Sequence, residues 1–119
     1  MKSTARRKSK RISENDRLDL VFGALSDRTR RSLLSRLARG PSTITELAEP
    51  FEMSLPAVSK HIRVLESAGL IARAVDGRVH RCSFDPTPLA SIDRWLEHYR
   101  GFWSDTLDAL ADFVESTRP

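Results

Sequence analysis

The sequence predicts a mainly helical chain that carries one small β-hairpin. Over most of its 119 residues, apolar side chains recur every three or four positions, which is the spacing of amphipathic helices. Between residues 70 and 84 the pattern changes to two short strands around Asp76-Gly77, a pair suited to a two-residue type I′ turn. The predicted order is therefore helix, helix, helix, tight turn, helix, hairpin, helix.

Two helices open the structured part of the chain. In the first, apolar residues recur at i, i+3, i+4 and i+7, and so share one face. They are Leu18, Val21, Phe22 and Leu25. Asp27 is predicted to cap the second helix, whose inward leucines precede Gly40-Pro41, where the helix is expected to end.

A short third helix and a longer fourth follow. Thr43, with Glu46 three residues later, predicts a capping box at the start of the third. Ser54 is predicted to cap the fourth, Ser54–Ser67, with Pro56 in the first turn, where its missing N–H does no harm. The buried stripe of the fourth helix is predicted to be Val58, Ile62 and Leu65. In the connecting turn Glu52 stands where glycine is common, so a residue with positive φ is expected there.

A helix pair joined by a tight turn and followed by a hairpin is a winged helix-turn-helix, whose second helix enters the major groove of DNA. The hairpin 70–84 is then the wing. We expect the first and last helices to form a dimer, because the last carries aromatic residues at helical spacing. The predicted dimer residues are Leu18, Phe22, Trp95, Tyr99, Phe102, Trp103 and Leu110. An inducer pocket lined by the same aromatic residues is the alternative.

Charge is unevenly distributed along the chain. Residues 1–11 carry +6, residues 12–27 carry −3, residues 28–81 carry +5 and residues 82–119 carry −4. A basic middle favours an anionic partner, for which double-stranded DNA is the first candidate. Residues 1–12 lack apolar periodicity, so we expect a disordered basic arm in front of one domain, 13–119.

The candidate DNA-binding residues lie on the fourth helix and on the wing. Hydroxyls and cations of the helix can donate to base edges and phosphates, and a wing arginine suits a minor groove or a phosphate. The set is Ser54, Leu55, Pro56, Ser59, Lys60, His61, Arg63, Arg78 and Arg81. Arg73 and His80 lie beside them on the hairpin. The alternative interpretation is an ordinary solvated face.

Several function classes find no support in the sequence. The single cysteine, Cys82, excludes an intrachain disulfide or a many-thiolate zinc site, and it is more typical of a small buried hydrophobe than of a redox sensor. No nucleophile–base pair, phosphate loop or cofactor motif appears, so neither an enzyme nor a cofactor is predicted. No apolar run approaches the roughly 18 residues of a membrane span, and we expect a cytoplasmic protein.

Two blocks of sequence resemble the ArsR family of bacterial transcriptional repressors. Residues 25–31, LSDRTRR, are similar to the family's opening, and residues 54–65, SLPAVSKHIRVL, followed by AGLI at 68–71, resemble its recognition helix. The similarity runs from about Leu18 to Phe113. It implies a homodimer that represses by occupying a twofold-symmetric operator and is released by an inducer.

The chain departs from the metal-sensing members of that family. Residues 45–49 lack the thiolate pair that many of them carry, and the last helix holds only His98 where others carry several ligands. No metal site is therefore predicted. The rival function is a winged-helix module that docks another protein without binding an operator.

Overall fold

The computed structural model describes residues 13–118, so the predicted arm at residues 1–12 lies outside the described part. Within this range the chain forms five helices and three strands. They are α1 (Glu14–Leu25), α2 (Arg28–Leu37), β1 (Ser42–Thr43), α3 (Ile44–Ala48), α4 (Leu55–Ser67), β2 (Ile71–Asp76), β3 (Val79–Phe84) and α5 (Leu89–Ser116). The mainly helical fold with a hairpin is confirmed. Strand β1 was not predicted; it pairs antiparallel with β3 and gives the sheet order β1-β3-β2.

The helices begin where the sequence predicts. The side chains of Asp27, Thr43 and Ser54 each accept a hydrogen bond from the N–H three residues later. At α3 the capping box is complete, because Glu46 Oε1 accepts in return from the N–H of Thr43 at 3.0 Å. The N–H of Arg30 holds the pKa of the Asp27 carboxyl below its ordinary value. These local bonds satisfy backbone donors that a helix start leaves free.

The core lies where α1 to α4 meet the inner side of the sheet. It contains the predicted stripe of α4 and the leucines of α2, together with Leu47 from α3 and Leu70 at the start of the hairpin. Cys82 is fully buried among them, and this burial raises the pKa of its thiol. The structure thus agrees with the interpretation of Cys82 as a small hydrophobe, since a buried, protonated thiol is a poor nucleophile.

Two predicted turn conformations are wrong. Asp76 pairs with Val79, so the central residues of the hairpin turn are Gly77 and Arg78 rather than Asp76-Gly77. Gly77 has φ +63°, and among the described residues no non-glycine has a positive φ, which fits a turn with glycine in its first place, type II′, and not type I′. The lack of a positive φ at any described non-glycine residue also contradicts the positive φ expected near Glu52. Six residues, 49–54, separate α3 from α4 and complete that turn without it.

Helix α5 extends far beyond the rest of the protomer. Its 28 residues span about 42 Å, whereas the 12 residues of α1, against which it packs, span about 18 Å. The radius of gyration of 20.0 Å exceeds the roughly 13 Å of a compact domain of about 100 residues. Within the described residues, the second half of α5 is therefore left without a covering element.

Candidate nucleic-acid interface and dimer surface

Helix α4 separates a buried stripe from a solvent-facing surface. Val58, Ile62 and Leu65 are fully buried. On the outer side Lys60 and Arg63 are exposed, and neither forms an ion pair or a side-chain hydrogen bond with a described residue. Ser54, Leu55 and Pro56 are exposed at the first turn, while Ser59 is half-buried. This face can therefore offer two free cations and a hydroxyl to an anionic partner.

His61 lies at the edge of that face, turned towards α2, and its assignment as a DNA-binding residue stays a prediction. The imidazole Nδ1 lies 3.4 Å from Arg30 Nη1 and 3.8 Å from Asp27 Oδ2, with 22% of the side chain exposed. The physical reason is the packing of the α2 N-terminus against this flank of α4. The sequence spacing could have indicated this half-burial, because His61 follows Val58 by three residues and precedes Leu65 by four, as core positions do.

Arg30 connects the recognition helix to α1. Its guanidinium donates to the carbonyl oxygens of Ala24 at 2.7 Å and Gly23 at 3.0 Å, at the C-terminal end of α1. A cation there satisfies free carbonyls and the negative end of the helix dipole. Because its third contact is His61, one side chain fixes α4 against α1.

The hairpin presents only part of its predicted positive charge. Arg78 is exposed in the turn, and Arg81 is exposed on the opposite side of the sheet from Cys82. Arg73, expected beside them, faces inward instead, because it pairs across the sheet with buried Cys82 and so shares its side. Its guanidinium donates to both carboxylate oxygens of Glu66 in α4, at 2.8 and 3.1 Å. Alternation along the strands contained this information.

A cleft of about 310 Å³ joins the first turn of α4 to the wing. Its lining combines hydroxyls, cations and apolar groups and includes no carboxylate. The lining residues are Thr43, Ile44, Thr45, Leu55, Ser59, Arg73, Arg78, Val79 and His80. Three of the predicted DNA-binding residues thus meet in one cleft, and its chemistry suits a phosphate group.

The basic middle of the chain is not one surface. A second groove, lined by Arg28, Arg31 and Arg36 of α2 and by Arg39 just after the helix, shares no residue with the α4–wing cleft. Arg31 and Arg36 each donate to a backbone carbonyl near a helix end. Much of the charge that suggested a nucleic-acid partner therefore lies on α2, and part of it serves the fold.

The predicted dimer residues form an apolar stripe on α1 and α5. Trp95 packs edge-on against Phe22, with ring centroids 5.4 Å apart, and joins the two helices; Leu18 is half-buried in α1. Further along α5 the stripe is open to solvent, with Phe102 68% and Trp103 60% exposed. It also includes Tyr99 and Leu110, and the structure extends it to Leu107, Phe113 and Val114. Contiguous apolar patches of this kind mark interaction sites.

Between residues 13 and 118, no three His, Cys, Asp or Glu side chains lie together in a group that could hold a metal ion. Over the same range no helix is long and apolar enough to cross a membrane.

Similarity to known proteins decides the family. A helix-turn-helix domain family matches residues 25–74. The HTH-type transcriptional regulator Rv2034 of Mycobacterium tuberculosis is 38% identical over 82% of this chain and 89% of its own. The crystal structure of the ArsR family transcriptional regulator RHA00566 is 40% identical, covers 79% of this chain and 97% of its own, and superposes with a TM-score of 0.73. The chain belongs to the ArsR family.

As an ArsR-family protein, the chain is a DNA-binding transcriptional regulator and not an enzyme. The transcriptional repressor SdpR of Bacillus subtilis is a further relative, 34% identical over 66% of this chain and 88% of its own. The winged helix-turn-helix predicted from the order of elements is confirmed. The resemblance stated from residues 25–31 and 54–71 is likewise confirmed.

Proposed function

We propose that this ArsR-family chain is a repressor that binds a twofold-symmetric operator as a homodimer. Helix Ser54–Ser67 lies in the major groove, with hairpin 70–84 as the wing. The observation that carries the proposal is the continuity of the α4 face with the wing. Lys60 and Arg63 are exposed without an acidic partner among the described residues, and the adjoining cleft leads to Arg78 in the hairpin turn.

The homodimer forms through α1 and α5 of both protomers. The apolar stripe of α5 supports this arrangement, because a second copy supplies the apolar surface that the first copy lacks. A twofold dimer of winged domains requires half-sites about 10 bp apart, or a multiple of that distance. An inducer of unidentified chemistry relieves repression in the cytoplasm, where the operator is.

The test compares charge-removing variants on two surfaces. Lys60→Ala and Arg63→Ala should weaken binding to an operator duplex, because both remove a cation from the α4 face. Loss of a base contact costs about 1–3 kcal/mol and relaxes the preference at one base pair, whereas loss of a phosphate contact weakens binding to all sequences alike. Arg39→Ala is the matched control, since it removes an exposed arginine that follows α2 and lines the second groove.

Fluorescence anisotropy on the operator and on a scrambled duplex, at two salt concentrations, measures these effects. Equal affinities for the parent and both α4 variants would mean that another surface contacts DNA. If the parent binds no duplex at either salt concentration, the rival function is favoured, namely a winged module that docks another protein.

A further inference from the structure

The wing is attached to the recognition helix by one group of polar side chains. Arg73 on β2 donates through Nε and Nη2 to Glu66, in the last turn of α4, at 3.1 and 2.8 Å. Its Nη1 lies 3.1 Å from Nδ1 of His80 on β3. One guanidinium therefore holds α4 and both strands of the hairpin, and we call Glu66, Arg73 and His80 the wing clamp.

The side chains of the wing clamp have fixed donor and acceptor roles and a restricted relative angle. A guanidinium can only donate, so in this contact His80 Nδ1 is the acceptor. The side chains of Arg73 and Glu66 are 18% and 33% exposed, which limits screening by water. Two-point contact between planar groups also restricts their relative angle more than a lysine contact could.

The outer half of the hairpin has little else to hold it. Val75 and Val79, next to the turn, are 59% and 48% exposed. The apolar attachment of the sheet to the core is at the other end, through Ile71 and Cys82. Beyond Arg73 the strands therefore project as a two-stranded ribbon with Arg78 at its end.

Small angular errors in such a ribbon become large at its end. From Arg73 to Gly77 the strand advances four residues, or about 13 Å, so a rotation of about 10° displaces the turn by roughly 2 Å. A hydrogen bond tolerates only about 0.5 Å of variation in donor–acceptor distance. The contact that Arg78 can make with DNA thus depends on the angle of the hairpin.

We propose that Glu66, Arg73 and His80 are positioning residues that set the angle of the wing against α4. They determine whether Arg78 reaches its DNA contact while α4 occupies the major groove. This inference rests on the proposed DNA-binding function. It assigns no DNA contact to the clamp residues themselves.

The test is a double-mutant cycle on operator affinity. In the parent, Arg78→Ala should weaken binding about tenfold through loss of the wing contact. In a Glu66→Gln background, which removes the negative charge and one of the two acceptor oxygens at equal side-chain size, the same substitution should change affinity less than twofold. Glu52→Gln is the control: it removes an exposed carboxylate from the turn before α4, away from the clamp, and there Arg78→Ala should keep its full effect.

A second measurement reads the clamp without DNA. Amide hydrogen exchange near the turn, at residues 75–79, should accelerate at least tenfold in Glu66→Gln, whereas amides in the middle of α4 should keep the parent rate. Arg73→Lys retains the charge but not the two-point contact, and should reproduce both results if Glu66→Gln fails to fold.

The outcomes separate the two levels of inference. If the parent binds the operator but the losses from Glu66→Gln and Arg78→Ala simply add, the clamp does not position the wing. If the parent binds no duplex, the proposed function fails, and unchanged exchange at residues 75–79 would overturn the clamp as well.

Discussion

Removal of one tryptophan should break the dimer and leave the protomer folded. Trp103 lies on the open part of α5 and is 60% exposed. A whole tryptophan has about 250 Å² of surface, so roughly 150 Å² of Trp103 is exposed in each protomer. If the dimer buries half of that area in both protomers, a total of about 150 Å² is removed from water. At about 25 cal/mol per Å², Trp103→Ala should cost the dimer ~4 kcal/mol, or several hundredfold in its dissociation constant.

Sedimentation equilibrium over nanomolar to micromolar protein measures this shift directly. The helical circular dichroism of the variant should match that of the parent, because no aromatic ring of its own chain pairs with Trp103 in the described structure. Asp105→Ala is the control, since it lies two residues on, about 200° around the helix. A parent that sediments as a monomer at micromolar concentration, or a Trp103→Ala dimer as tight as the parent, would refute the reasoning.

Two further predictions concern metal and the basic arm. Stoichiometric zinc, cadmium or arsenite should leave operator binding unchanged, whereas release by nanomolar free metal that Cys82→Ser abolishes would reveal an intersubunit site. Deletion of residues 1–11 should make the slope of log K against log salt shallower by roughly 4–5. This value assumes that two or three charges in each of the dimer's two arms contact DNA, and that each neutralised phosphate contributes about 0.9 to the slope. Operator preference should persist; an unchanged slope would show that the arm never touches DNA.

Features that depend on local sequence were predictable. Asp27, Thr43 and Ser54 cap helices because each bonds a backbone N–H only three residues away. The periodic stripes of α2 and α4 gave the core, since helical spacing determines which side chains face inward. The order of these elements was enough for the winged fold.

Features that depend on distant partners were not predictable. The half-burial of His61 against α2 was not predicted, because its neighbour Arg30 is 31 residues away in sequence. The ion pair of Arg73 was not predicted, because its partner Glu66 lies in a different element. The hairpin turn was predicted one residue too early, because the choice between Asp76-Gly77 and Gly77-Arg78 depends on the pairing register of the strands.

The stripe of α5 illustrates a further limit of sequence. Helical spacing of Tyr99, Phe102 and Trp103 is the same whether the side chains are covered by their own chain or by another. Only the structure shows that no described element covers them. The sequence therefore predicted an apolar surface, and the fold shows that this surface is left open in the protomer.

Selection of bound duplexes from a random library tests directly whether the protein recognises a twofold-symmetric DNA site. The parent protein is mixed with randomised double-stranded DNA, bound molecules are recovered through several rounds, and the survivors are sequenced. For a twofold dimer we expect an inverted repeat whose half-sites are centred about 10 bp apart or a multiple of it. Survivors that share no sequence, or that share one unrepeated site, would contradict recognition by a twofold dimer through α4.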